Sequence, residues 1–459
     1  MKRLFLVLTL FATACATTSP VPQPEVSAPP AWSEAPTADA AAVTADWWQR
    51  FGSAELQALV DEALAGSPDL AIAVERVRQA EAQVRVAGAS LFPQIDVAAS
   101  SSARTTRDRD ANTSVRSEAS GTTLSASYEL DLWGRNAAGV RGAEATFRAT
   151  VFDRDTARLT LIAGVANAYF DVLSLRARIA NARENVAIAE RVLQVVSVRS
   201  RNGAVSPLDV TRQEATVLSQ RAALLPLEQQ ERQTLAALAI LLGRVPEGFD
   251  VSARGLSELS VPSVSPGLPA ELLARRPDLA SAEAQLVATN ANLAAARAAL
   301  LPSIQLTGST GVASGALLGF LNGPTATAAL AASVLQPIFD GGRLRGQVSV
   351  AESRERELVE AYRKAILAAL ADVESALAAA TRLQQRETLQ AQVEQRSREA
   401  LRLAEVRYRE GADDLLSVLD AQRTLFDAQD QLAQVRLDRL DVAVALFKAL
   451  GGGWQANGA

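Results

Sequence analysis

Apolar and polar residues alternate along positions 122–131, where Leu124, Ala126, Tyr128 and Leu130 fall on one side and Ser125, Ser127, Glu129 and Asp131 on the other. A period of two predicts a strand with one greasy and one wetted face. Further extended runs are predicted at 95–103, 304–312 and about 326–337. Each is about ten residues, the length of a tilted transmembrane strand, although a soluble hairpin shows the same alternation. The runs pair as two β-hairpins, 95–131 and 304–337. The connecting segment 104–120 is charged and polar, with Arg104, Arg107 and Arg109 among aspartates, whereas 313–325 is rich in Gly.

The rest of the chain has helical periodicity. A helix is predicted to open at Pro68 and another at Pro277, since proline suits the first helical position, and each ends ahead of the next proline, Pro93 or Pro302. From about 134 to 200 there is no proline, which predicts one helix of roughly 100 Å at about 1.5 Å per residue. Ile179, Ala182, Val186, Ala189, Leu193 and Val196 form a heptad seam of small and apolar residues along it. Gly203 is placed to end this helix, and Ser206-Pro207 to start its return. A matching pair is predicted at 343–410 and 415–446, turning at Gly411, while Pro226 predicts a kink or interruption in the first return helix.

These elements occur twice. Ser67-Pro68-Asp69-Leu70-Ala71 returns 209 residues later as Arg276-Pro277-Asp278-Leu279-Ala280, and Leu91-Phe92-Pro93 returns at the same spacing as Leu300-Leu301-Pro302. Gly134-Arg135 and Gly203-Ala204 return 208 residues later as Gly342-Arg343 and Gly411-Ala412. Landmarks in one order at nearly one offset predict a tandem duplication, with repeats at about 67–224 and 276–432 and a linker at 245–274 inside a single domain, 46–459.

Composition removes most chemistry from the candidates. The 459 residues contain no His, one Cys and one Met, so His-based catalysis, His-held metals, an intramolecular disulfide and multi-Cys metal sites are all excluded. A net charge of −5, from 46 basic and 51 acidic residues, lacks the basic footprint of a nucleic-acid binder. No enzyme, no cofactor and no metal site is expected. Without Met1 the mature chain has neither Met nor His, which disfavours a dedicated copper or silver route.

The single Cys falls in an address. Lys2 and Arg3, the apolar run 4–11 and the small residues before Cys15 read as a secretory signal, 1–14, and the run is too short to span a bilayer. Ala12-Thr13-Ala14-Cys15 resembles the lipobox of bacterial lipoproteins, which implies acylation at Cys15 and, with Ala16 following, an outer-membrane destination. Residues 15–45 are Pro-rich and read as a semi-extended lipidated tether.

Four strands cannot close a membrane barrel, and an open edge in lipid leaves backbone groups unpaired, so strands must be pooled among copies of the chain. Long amphipathic hairpins face the same demand and must pack side by side.

With these features the chain resembles the TolC-like outer-membrane efflux proteins, in the lipidated NodT-type branch that partners resistance-nodulation-division (RND) pumps. The residues that carry the resemblance run from Trp47-Trp48-Gln49-Arg50-Phe51 to the terminal Gly-rich segment before Trp454. They include Tyr128-Glu129-Leu130-Asp131-Leu132-Trp133-Gly134-Arg135, Arg275-Arg276-Pro277-Asp278-Leu279 and Tyr408-Arg409-Glu410-Gly411 with Val418-Leu419-Asp420-Ala421-Gln422. The resemblance implies a mainly α homotrimer whose helical hairpins form a trimeric α-barrel in the periplasm, with four strands per chain in a shared 12-stranded β-barrel. It further implies outer-membrane lipid around the barrel and two partners, a periplasmic adaptor and an inner-membrane RND transporter, in a system that exports small toxic compounds.

By the same resemblance, the periplasmic aperture is set by acidic side chains in the turn and first helical residues of the second hairpin: Asp413, Asp414 and Asp420, with Ser417 where some members carry an acid. For Asp413 and Asp414 the alternative is that they are solvated turn residues or helix N-cap acids. Adaptor contact falls to the hairpin turns Gly203, Ala204 and Val205 and Gly411 and Ala412, which read equally as plain helix caps. Other readings are a type I secretion channel, a coiled-coil periplasmic lipoprotein that spans no membrane, and an enzyme using carboxylates. The sequence does not name a substrate.

Overall fold

A computed structural model describes residues 20–26, 29–34, 43–108, 113–315 and 324–455. The signal segment, Cys15 and parts of the tether lie outside the described residues. The elements, in chain order, are α1 (Ala54–Gly66), α2 (Pro68–Gly88), β1 (Gln94–Asp108), β2 (Thr113–Leu130), α3 (Arg135–Arg201), α4 (Pro207–Leu241), α5 (Pro277–Ala298), β3 (Ser303–Ser314), β4 (Thr325–Leu335), α6 (Arg343–Arg409) and α7 (Leu415–Ala449). Helices α3 and α6 are both 67 residues long, and α4 and α7 both 35. The chain divides into two compact units, one comprising Met1–Glu25, Arg76–Val151 and Ser281–Arg363, the other Val26–Glu75, Phe152–Ala280 and Lys364–Ala459.

The first unit carries an antiparallel sheet in the order β1-β2-β3-β4. Its register sorts side chains into two faces. On one, Val97, Leu124, Thr310 and Ala328 line up across the strands, then Ile95, Ala126, Gly308 and Leu330, then Tyr128, Leu306 and Ala332, then Leu130, Ile304 and Val334. The other bears Asp96, Ser125, Ser309 and Ala329, then Gln94, Ser127, Thr307 and Ala331, then Glu129, Gln305 and Ser333. The apolar face has no cover among the described residues: Ile95, Val97, Leu330 and Val334 are all at least two-thirds exposed. Among the described residues the outer edges of β1 and β4 have no partner strand either.

Strands β1 and β2 extend well beyond the predicted runs. The segment 104–120, expected as a loop, is mostly ladder, with Arg104 opposite Ser117 and Thr106 opposite Val115. Both faces of this extension are polar, so no hydrophobic alternation marked it, although its Thr and Val residues favour strand. Because β3 stops at Ser314 opposite Ser120, the extension continues as a two-stranded ribbon.

At the strand ends, the Asp131 carboxylate accepts from the backbone N–H of Asn136 (3.1 Å) and Ala137 (2.7 Å), which starts α3. Asp340 does the same for α6 through Gly342 and Leu344, both at 3.0 Å. The Leu344 N–H, with that of Gly342 and the Arg343 charge, holds the Asp340 carboxyl below its ordinary value. Trp133 is tied down by its indole N–H on the Pro302 carbonyl at 2.7 Å. Helices α5 and α6 are joined by Asn290 to Glu355 (2.8 Å) and Arg297 to Glu352 (3.0 Å).

The second unit is organised around an aromatic nest. Trp47 stacks on Phe447 with centroids 4.9 Å apart, and Phe51 lies 5.0 Å from Phe170. The irregular linker after α4 is pinned to this core: Arg176 donates to the carbonyls of Val251 (2.6 Å) and Ala253 (2.7 Å) and to Glu231 (2.8 Å). Glu55 accepts from the Ser252 hydroxyl (2.8 Å) and the Ala253 N–H (3.1 Å). Burial opposes the Glu55 charge, but these donors outweigh it and hold its carboxyl below the usual range. Tether residues also dock in this unit, Trp32 donating to the Gly267 carbonyl at 2.9 Å and Glu34 pairing with Arg382 at 3.3 Å.

Helix α4 runs on through Pro226, which the sequence marked as a kink or break. Pro226 and Ala222, whose carbonyl loses its hydrogen bond, both lie on the exposed side, so water can satisfy the freed group.

One carboxyl in this unit is poorly housed. Asp441 has a buried Oδ1 with no hydrogen-bond partner among the described residues. Burial, together with the Asp171 and Asp438 carboxylates, pushes it up to about 7. A carboxyl raised in the folded state loses stability as pH climbs from its unfolded value, about 4, to about 7, and the cost is constant above that. Asp441→Asn should therefore melt with the parent near pH 4 and above it at pH 8, by ~2 kcal/mol after allowance for partial solvent access, as followed by circular dichroism at 222 nm.

Candidate gate at the hairpin turns

Both long helices end alike. Past α3, Gly203 adopts φ 72°, with Gly203 N–H on the Ser200 carbonyl and Ala204 N–H on the Arg199 carbonyl, each 2.9 Å. Past α6, Gly411 adopts φ 77°, with its N–H on the Tyr408 carbonyl at 3.1 Å and Ala412 N–H on the Arg407 carbonyl at 2.8 Å. A left-handed residue at this position is what glycine supplies without strain.

The restarts use one device with its parts exchanged. In the first hairpin Asp209 Oδ2 accepts from the Ser206 backbone N–H (3.1 Å) and hydroxyl (3.2 Å). In the second, the acid comes first: Asp414 Oδ1 accepts from the Ser417 backbone N–H and hydroxyl, both 3.1 Å. The Ser417 hydroxyl also reaches Asp413 Oδ1 at 2.8 Å, and Arg407 lies 3.3 Å from Asp413 Oδ2. The Ser417 hydroxyl foremost, with the Asp414 N–H and Arg407, holds the Asp413 carboxyl below its ordinary value.

Asp413, Asp414 and Ser417 thus sit together in one capping network. Asp420 stands apart from it, a turn further along α7. Its side chain is 71% exposed and pairs with Arg423 at 3.1 Å, itself 76% exposed. Gly203, Ala204, Gly411 and Ala412 are exposed, as tips should be. Val205 is not: it packs against a buried cluster of Ile188, Val192 and Val196 from α3, Tyr408 from α6, and Val418 and Leu425 from α7. A turn residue next to an apolar seam is drawn inward, which its neighbours in sequence did not signal.

The sequence reading also missed the link between the hairpins. The Arg199 guanidinium lies over the Tyr408 ring, 4.6 Å from its centroid, and donates to the Tyr408 carbonyl. The cation thus neutralises the C-terminal carbonyls of α6 as well as resting on its aromatic ring. Arg199 and Tyr408 are 209 residues apart, and only the tertiary fold joins them. The missed Arg423 had a signal, its spacing of three from Asp420 on one helix face.

The chain matches the family model described as Outer membrane efflux protein over residues 59–244 and 268–452. It is 42% identical over 472 residues to the Pyoverdine export outer membrane protein OpmQ of Pseudomonas putida, covering 98% of this chain and 97% of that one. It is 34% identical over 460 residues to Outer membrane protein OprJ of Pseudomonas aeruginosa, covering 99% and 96%. Among solved structures, the open state of the Neisseria gonorrhoeae MtrE outer membrane channel superposes with a TM-score of 0.84 at 31% identity, covering 96% of this chain and 99% of that one.

Arg199→Ala should loosen the link between α3 and the end of α6 without unfolding either helix. Amide exchange across 404–420 is expected to speed up by about three- to tenfold, the equivalent of roughly 1 kcal/mol. Unchanged exchange there would show that the guanidinium carries no load.

Proposed function

We infer that this chain, which belongs to the outer membrane efflux protein family, is the outer-membrane channel of a tripartite efflux system that exports small toxic compounds with an inner-membrane RND pump and a periplasmic adaptor. The observation that carries the reading is the four-stranded sheet, which among the described residues has one uncovered apolar face, one polar face and two unpaired edges. In lipid such edges have to be closed, and three copies supply twelve strands, an even number within the range of outer-membrane barrels. The apolar rows then meet lipid and the polar rows line a wet lumen. The unpartnered apolar side chains of the long hairpins, Leu218 and Leu225 on α4 and Leu389 and Val393 on α6, are met by neighbouring copies in a periplasmic helical barrel.

The duplicated organisation, 67–224 and 276–432, is supported by the equal lengths of the paired helices and by the two family matches. The irregular linker forms a belt about the middle of the helical barrel. Signal removal at 1–14 and acylation of Cys15 would add a lipid anchor, for which the lipobox-like residues are the support.

For the aperture, Asp420 is the favoured acid: it is exposed, whereas Asp413, Asp414 and Ser417 are engaged in capping. Three copies of Asp420 around a narrow throat would attract cations, tempered by Arg423 one turn away. The exposed turns at Gly203, Ala204, Gly411 and Ala412 are the surfaces offered to the adaptor.

The cargo is set chiefly by the pump. Curated relatives carry names as different as pyoverdine export, toluene efflux and antibiotic efflux, which fits a conduit that does not read what it passes. Deletion of the gene should sensitise cells to several chemically unrelated drugs, dyes or detergents by fourfold or more in a susceptibility panel, and sensitivity to none of them would count against export. In planar bilayers Asp420→Ala should relieve block by divalent cations; unaltered block would remove Asp420 from the aperture.

A further inference from the structure

The four-stranded wall is nearly free of charge. Where all four strands run side by side, over 94–101, 120–130, 303–314 and 325–335, the charged residues are Asp96 and Glu129. Both lie on the polar face, but they meet different neighbours. Glu129 is neutralised by Arg135 at 2.6 Å. Asp96 is exposed, accepts from the neighbouring Gln94 side-chain amide at 3.2 Å, and has no cation within ion-pair distance among the described residues. Level with it across the ladder stand Ser125, Ser309 and Ala329, all too short to screen it. Strands disfavour Asp as they disfavour Asn, so the sheet gains nothing from the charge.

The duplication limits how many such charges there are. Asp96 is the third residue after Pro93, and the third after Pro302 is Gln305, on the same face of the sheet. One repeat thus supplies a carboxylate and the other a neutral amide at the matching place. Arg104 falls on this face too, but past the end of β3 at Ser314, on the two-stranded ribbon where the four-stranded wall has stopped.

We propose that Asp96 is a specificity-determining residue of the barrel, one carboxylate per chain that favours cations and disfavours anions along an otherwise neutral wall. This rests on the channel reading, because only closure by three chains turns the polar face into a lumen. Twelve strands about 4.8 Å apart and tilted by about 40° make a wall of roughly 12 Å backbone radius, which leaves each carboxylate about 9 Å from the axis. Three charges at that distance in water raise the cation concentration on the axis about fivefold at ~0.01 M salt, where the screening length is about 30 Å. The gain is two- to threefold at ~0.1 M and about nil at ~1 M, where screening sets in within about 3 Å. The ring therefore acts without any direct contact with what passes, and only at low salt.

The test is the cation-to-anion permeability ratio from reversal potentials in KCl gradients, with the full-length protein in planar bilayers and in the Asp420→Ala background, so that the proposed aperture does not mask the barrel. Asp96→Asn should lower the ratio by about two- to fivefold in gradients up to ~0.1 M and leave it unchanged near ~1 M, with thermal stability as in the parent. Asp96→Glu should keep the parent's ratio. Moving the charge to the other repeat, Asp96→Asn with Gln305→Asp, should restore it. A conducting protein whose ratio ignores Asp96→Asn, a fall that persists near ~1 M, or a fall the relocated acid does not reverse would each overturn the proposal while leaving the channel reading in place. A parent that conducts nothing would overturn the channel reading and this proposal with it.

Discussion

The constraint on which the rest of this molecule depends is the backbone hydrogen bonding of a sheet edge. Strands β1 and β4 each present a row of N–H and C=O groups that nothing among the described residues pairs. Water can satisfy such groups and hydrocarbon cannot, where each costs several kcal/mol. A sheet that also exposes Val97, Leu124, Leu330 and Val334 on one face is suited to neither solvent alone. Closure with further copies resolves both mismatches, because it pairs the edges and turns the apolar face to lipid. On the proposed reading, function would follow from closure, since a barrel whose inner rows were Asp96, Ser125, Thr307 and Gln305 would enclose a polar path.

The same logic governs the long helices. Chains this rich in Ala can pack their helices closely, but a hairpin with apolar residues on more than one side keeps a seam open for another copy. At the turns, the chain spends its polar groups on caps. Asp413, Asp414 and Ser417 satisfy one another and the start of α7, which leaves Asp420, paired with Arg423, outside that network. The link between Arg199 and Tyr408 and the apolar cluster around it hold the second hairpin against the end of the first.

Much of this was legible in the sequence where local physics decides it. The alternation at 122–131 gave its strand away because one face is apolar. Proline-free stretches between Gly and Ser-Pro signals marked α3 and α4 to within a residue or so of their bounds at the turn. The polar extension of β1 and β2 was read as a loop because alternation is invisible when both faces are wet. Pro226 marks a kink or an interruption in the sequence, and helix α4 nonetheless continues because the freed carbonyl at Ala222 faces water, which the sequence does not show. Among the site residues, the capping role of Asp413 and Asp414 could be weighed from spacing alone. The inward turn of Val205 and the Arg199 link could not, since each depends on which helix lies alongside.

The central claim, that the open sheet is completed by copies of the same chain, is tested most directly by the mass of the intact assembly. Native mass spectrometry of the detergent-extracted protein should give three chains per particle, dissociating to one only under conditions that also melt the sheet. A monodisperse single chain or pair that still conducts in bilayers would contradict the account.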